Sequence, residues 1–241
     1  MTGPGGRSRG TSPSRPGGAL ATRPLHFVWL ADCSGSMAHD GKIQALNTAI
    51  RETLPHMRQV AADNPNAHVL VRVLRFASGA AWHVAEPTTV EEFSWRDLEA
   101  GGVTDLGAAL HLVADALKVP PMSDRALPPV LVLVSDGQPT DDYEAGLQRL
   151  LAEPWGERAV RMAVAIGQDA DRDVLEQFIA TDGAHPLRAN SPESLVRQIR
   201  WASTAALQSA SAPASGVAGR KLAGKGVPVP DDVGASSADV W

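Results

Sequence analysis

The chain has 241 residues, of which 44% are hydrophobic and 20% charged, and its formal net charge is −5. That size allows one or two domains, the composition is that of a globular protein, and the mildly acidic balance excludes a general electrostatic pull toward nucleic acid or an anionic membrane surface. A single cysteine, Cys33, excludes a disulfide framework within the chain.

The chain contains no run of about 18 apolar residues, so no membrane span is expected. The arginines near the start are not followed by the apolar core of a secretion signal. The expected location is the cytoplasm. Residues 1–23 are rich in Gly, Ser, Pro and Arg, and residues 208–241 in Ala, Ser, Gly, Pro and Val. Neither segment has enough apolar surface to offset its ordering entropy, so both are expected to be flexible tails. The foldable domain is then residues 24–207.

Within it, apolar runs alternate with helical stripes. Leu25 to Ala31 is nearly continuous, as in a strand covered on both faces. Ile43, Leu46, Ile50, Leu54 and Met57 then recur at spacings of three and four, one face of a helix. Pro55 falls inside this pattern and is expected to kink or break it. "HVLVRVLRFA" and "AAWHV", separated by "SG", predict a hairpin that puts one antiparallel strand at a sheet edge. Leu106, Leu110, Val113 and Leu117 form a second stripe, and "PVLVLVSD" is a buried strand. A helix over 142–152, the strand "AVRMAVAIG", a helix over 171–180, a short strand near Pro186 to Ala189 and a helix over 191–206 complete the order. "SPES" caps the last helix, with proline at its first position. This alternation predicts a Rossmann-like, three-layer α/β/α doubly wound fold, its sheet mostly parallel with one antiparallel edge strand.

In such sheets ligands bind beyond the carboxyl ends of the strands, at the switch point. Three polar clusters fall there: Asp32, Ser34 and Ser36 after the first strand, Thr104 in "GGVTD" before a helix, and Asp136 after "PVLVLV". They offer two carboxylates and three hydroxyls, hard oxygen donors that favour Mg²⁺, with Mn²⁺ and Ca²⁺ as alternatives. Two carboxylates only balance the charge of such an ion and leave it able to accept a further anion.

"DCSGSM", "GGVTDLGAAL" and "VSDGQPTDD", in that order, resemble the metal-ion-dependent adhesion site of von Willebrand factor type A domains, whose pattern is Asp-x-Ser-x-Ser, a distant Thr and a distant Asp. Within the family, Cys33 after the first Asp and "SDGQPTDD" are similar to the bacterial tellurium-resistance TerY-like branch. The resemblance implies that Ser34 and Ser36 bind the metal directly, that Asp32 and Asp136 act mostly through water, and that Thr104 alternates between the two modes. Gly101 and Gly102 would make that loop movement sterically cheap. It also implies that the last helix shifts with the loop.

Each cluster also has a bland explanation. Asp32, Ser34 and Ser36 suit a helix-capping turn, Thr104 an N-cap, and Asp136-Gly137 an ordinary turn. Cys33 lacks a histidine partner motif and reads as a small buried thiol. Ser34 lacks the Gly-x-Ser-x-Gly elbow of a hydrolase. "GSMAHDGKI" has the wrong glycine spacing for a phosphate loop and no Ser or Thr after Lys42. His39 reads as an exposed loop residue.

Trp29, Trp82, Trp95, Trp155 and Trp201 are expected in or near the core. Trp241 closes "DDVGASSADVW" instead; with Asp231 and Asp232 it reads either as an unstructured end or as a docking motif for a protein partner.

The expected function is metal-dependent protein–protein binding in a bacterial stress or signalling complex, without catalysis. A partner's Asp or Glu would complete the Mg²⁺ shell. The resemblance implies a kinase or phosphatase of the same system as partner, with neither nucleic acid nor membrane. Two other classes are a metal-dependent hydrolase or phosphatase, for which no convincing base is found, and a structural subunit whose metal contacts no partner.

Overall fold

A computed structural model describes residues 22–211, apart from residues 137, 169 and 182. The elements run β1 (Arg23–Asp32), α1 (Lys42–Ala62), β2 (Ala67–Ala77), β3 (Gly79–Thr89), α2 (Leu106–Ala116), β4 (Val130–Ser135), α3 (Tyr143–Ala152), α4 (Pro154–Glu157), β5 (Val160–Ile166), α5 (Arg172–Ile179), β6 (Leu187–Ala189) and α6 (Pro192–Ser211). A single 3-10 turn, Gly35–Ala38, lies between β1 and α1.

The six strands form one sheet in the order β3-β2-β1-β4-β5-β6. All pairs are parallel except β2 with β3, which makes β3 the antiparallel edge strand, as the "SG" hairpin predicts. Alternate side chains of each strand point to opposite faces. Phe27, Trp29 and Ala31 face α1 and α6, while Val28 and Leu30 face the layer of α2, α3 and α5. β4 is buried along its whole length, which explains its unbroken apolar sequence.

The chain winds from β1 toward β3 on one side and from β4 toward β6 on the other. The reversal therefore lies between β1 and β4, whose carboxyl ends carry Asp32 and Asp136. Burying each large apolar side chain contributes about 1.5–3 kcal/mol. The two cores thus outweigh the cost of a few buried polar groups at this edge.

Three expectations are corrected. α1 continues unbroken through Pro55. Pro55 and Arg51, whose carbonyl loses its donor, are both exposed, while Leu54 and Met57 are buried on the core side. Solvent can satisfy the orphan carbonyl, and packing of the apolar face holds the helix together. α6 runs to Ser211, past the expected domain end at 207. Ala210 and Ser211 are buried there, and the Asn64 side-chain amide donates to the Ser211 carbonyl oxygen and hydroxyl. β1 begins at Arg23, two residues before the expected strand start at Leu25, and there the Arg23 guanidinium donates to the carbonyls of Arg125 and Ala126. The short helix α4 has no counterpart among the expected elements. All five tryptophans assigned to the core lie in or against it. Among the described residues, no helix is long and apolar enough to cross a membrane.

Candidate metal centre

Asp32 closes β1, and Ala31 beside it is paired with Val134 of β4. Its carboxylate is 0% exposed. Oδ1 accepts the Ser34 backbone N–H at 2.8 Å, and Oδ2 accepts the Ser135 hydroxyl at 2.6 Å. Burial pushes the Asp32 carboxyl above its ordinary value. The hydrogen bonds from Ser135 and Ser34 oppose that rise, and the charge of Asp136 adds to it. The first and third clusters are therefore neighbours in electrostatic reach.

Ser34 precedes the 3-10 turn, but its hydroxyl caps nothing. It sits 2.9 Å from the hydroxyl of Ser36, one donating to the other. The capping explanation of this cluster is thus not what the hydroxyls do. Cys33 points the other way, into the core under α1 and α6. Burial, with a smaller contribution from the Asp32 charge, pushes its thiol up to about 12, so it stays protonated at neutral pH. His39 is exposed, as expected of a loop residue.

Asp136 follows β4 and is 8% exposed. Its backbone carbonyl accepts the Asp171 N–H at 2.7 Å. Its Oδ1 is buried and has no hydrogen-bond partner among the described residues. A buried polar atom without a partner costs about 1–3 kcal/mol, so an acceptor left open among the described residues points to a ligand.

Thr104 is 6% exposed, at the end of a long irregular connection from β3. That connection is anchored from α1. The Asn47 amide donates to the Leu98 carbonyl and accepts from the Leu98 N–H and the Trp95 indole. The Arg58 guanidinium donates to the carbonyls of Val90 and Phe93. Beyond it, Gly101 N–H donates to the Cys33 carbonyl at 2.8 Å, and Gly35 N–H to the Gly102 carbonyl at 2.9 Å. The Thr104 loop is thereby laced to the Ser34 loop.

At Gly102 the backbone itself requires glycine. Gly102 has φ +91°, and a Cβ there would lie 2.5 Å from the Ser78 hydroxyl. It permits a close approach and a left-handed backbone, and the loop around it is held by hydrogen bonds at Gly101, Val103, Thr104 and Asp105. Thr104 is not the cap of α2. Asp105 holds the cap position, and the N–H groups of the second and third helical residues, Gly107 and Ala108, donate to Asp141 at 2.9 and 2.7 Å.

The structure thus brings Asp32, Ser34, Ser36, Thr104 and Asp136 to one edge of the sheet. Trp241, Asp231 and Asp232 lie outside the described residues. Asn47, Ser135, Thr140 and Asp141 were missed by sequence reasoning. The only signal for the last two was their position in the polar run "SDGQPTDD".

The donors are two carboxylates and three hydroxyls; among the described residues no group of three or more His, Cys, Asp or Glu side chains could hold a metal ion. This mixed oxygen set fits a hard divalent cation. Adjacent oxygens around an octahedral Mg²⁺ at ~2.0–2.1 Å lie about 2.9 Å apart, the separation of the Ser34 and Ser36 hydroxyls. Asp32 and Asp136 would supply the charge to balance such an ion.

Residues 27–138, a little under half of the chain, match the model of the von Willebrand factor type A domain. No curated protein of similar sequence was found. Solved structures share the fold. The ArnB paralog VWA2 from Sulfolobus acidocaldarius aligns over 78% of this chain and 46% of its own, at 16% identity and TM-score 0.55. A von Willebrand factor type A protein from Catenulispora acidiphila aligns over 78% and 43%, at 18% identity and TM-score 0.54. Proximal thread matrix protein 1 from the mussel byssus, in a form with a zinc-occupied MIDAS motif, aligns over 76% and 48%, at 19% identity and TM-score 0.58. The chain spans less than half the length of each of these proteins. The sequence match and the shared fold together support a von Willebrand factor type A domain within this chain.

Proposed function

We propose that this chain is a metal-dependent protein-binding module whose cation, Mg²⁺ in the first instance, is completed by a carboxylate of a partner protein. The observation that carries the reading is the buried Oδ1 of Asp136, without a partner among the described residues, at the same sheet edge as a pair of hydroxyls with no capping task. When bound, the cation supplies a Lewis-acidic position for an anionic ligand. Ser34, Ser36 and Thr104 would hold it through their hydroxyls. Asp32 has both oxygens engaged by the chain, which suits contact through water, and it keeps Ser34 in place. Asp136 offers an oxygen left open among the described residues. The two carboxylates only balance a divalent ion, and the neutral hydroxyls would leave it electron-poor enough to accept an incoming Asp or Glu. The zinc-occupied MIDAS of the byssus protein is consistent with a divalent ion at such a site.

The site is read as a binding centre without catalytic turnover. "DCSGSM" and "SDGQPTDD" direct the biological setting toward a cytoplasmic, TerY-like bacterial stress or signalling complex that contains a kinase or phosphatase. A pull-down from the source cell with the full chain tests this, run with Mg²⁺, with EDTA and with Ser34→Ala. The expected result is a partner retained with Mg²⁺ and lost in both other arms. A partner indifferent to both arms would refute the reading.

A further inference from the structure

Thr104 has a neighbour on the third loop that grips both sides of its backbone. The Thr104 N–H donates to the Thr140 hydroxyl oxygen at 3.0 Å. The Thr140 N–H donates to the Thr104 carbonyl at 2.8 Å. The Thr140 hydroxyl in turn donates to Asp105 Oδ1 at 3.2 Å, and Asp105 Oδ2 accepts the Gly79 N–H at 2.6 Å. Gly79 opens β3, and the Ser78 hydroxyl beside it accepts the Val103 N–H at 3.3 Å. A continuous set of hydrogen bonds therefore joins the loop after β4, the Thr104 loop and the turn between β2 and β3.

We infer that Thr140 is a positioning residue that fixes where the Thr104 hydroxyl stands relative to Asp136, with Asp105 orienting Thr140. The inference rests on the metal-binding reading above and adds a residue to it. Three features of the geometry carry it. Thr140 is four residues beyond Asp136 on the same loop, so it ties the two separated parts of the site to each other. Its hydroxyl accepts from one neighbour and donates to another, using both capacities of the group. Asp105, with its carboxylate shared between Thr140 and Gly79, sets the direction of that hydroxyl, since an ionised carboxylate only accepts. Thr140 is exposed and packs against no core, so its loss leaves the fold intact.

The test is a double-mutant cycle on the full chain, read as Mg²⁺ affinity by calorimetry. Thr140→Val keeps the shape of the side chain and removes the hydroxyl. It is expected to weaken Mg²⁺ binding about three- to tenfold, the range of one ordinary hydrogen bond, and Thr140→Ser is expected to restore it. Thr104→Val should weaken binding by itself, and Thr140→Val should then add no further loss. Wild-type affinity in Thr140→Val, or the same loss repeated in the Thr104→Val background, would overturn the inference while leaving the metal reading intact. Wild-type affinity in Thr104→Val would overturn Thr104 as a ligand and the inference with it.

Discussion

Asp32 and Asp136 leave neighbouring parallel strands at the same edge of the sheet, yet their carboxylates are treated in opposite ways. Asp32 is fully enclosed, and each of its oxygens accepts a hydrogen bond from the chain. Asp136 is almost as buried, and its Oδ1 accepts none among the described residues. The first organises its own loop: its Oδ1 holds the Ser34 N–H, which leaves the Ser34 hydroxyl free to meet that of Ser36. The second is an acceptor held in reserve. A fold tolerates such an atom when two large cores stabilise the rest, and the proposed cation would give it a use.

Ways to break this contrast follow in order of expected size. Withdrawing Mg²⁺ with EDTA, from a concentration a hundredfold above Kd, should lower stability by about 2.7 kcal/mol. For a domain of this size that is roughly 5–10 °C of melting temperature, and calorimetric melts with and without EDTA would show it. Asp32→Ala removes the acceptor of the buried Ser34 N–H and the acceptor that Asp32 offers the Ser135 hydroxyl. It should cost about 2 kcal/mol in urea unfolding of the metal-free chain. Gly102→Ala forces a Cβ toward Ser78 at a positive φ and should cost about 1–2 kcal/mol. That loss would show that the Thr104 loop is held by close approach, since a freely moving loop would accept alanine.

The smallest effect is on pH dependence. Asp32 has its folded value raised, chiefly by burial, so the folded state binds its proton more tightly than the unfolded chain does. Its ionisation therefore weakens the metal-free fold as pH rises from the ordinary value of 3.8 to the raised one, and the penalty stays constant above. Asp32→Asn should gain stability relative to wild type across that window and hold a fixed gain beyond it. Urea unfolding of the two chains at a series of pH values would check this; a difference unchanged with pH would contradict it.

Much of the molecule is legible in its sequence because local patterns carry it. The unbroken apolar runs mark β1, β4 and β5, the "SG" turn marks the edge hairpin, and three- and four-residue spacings mark α1 and α2. What was not legible depends on contacts between distant segments. Pro55 looks like a breaker, but whether a helix survives it depends on where the orphan carbonyl points and what Leu54 and Met57 bury. The end of α6 is fixed by Asn64, far back in the chain. The five candidate metal residues were recognisable as three clusters, yet their support was not. Asn47 fixes the long connection, Ser135 completes Asp32, Asp141 caps α2 from the next loop, and Thr140 grips Thr104. Each is a single polar residue whose partner lies at least 33 residues away, beyond the reach of periodicity or capping rules.

The contrast between the two carboxylates is tested most directly by the Mg²⁺ binding isotherm of Asp136→Asn, measured by calorimetry on the full chain. Asn keeps the shape of the side chain and removes the charge of a carboxylate whose Oδ1 has no partner among the described residues. The account predicts no saturable Mg²⁺ binding, with a metal-free fold at least as stable as wild type. A wild-type Mg²⁺ isotherm from Asp136→Asn would contradict it.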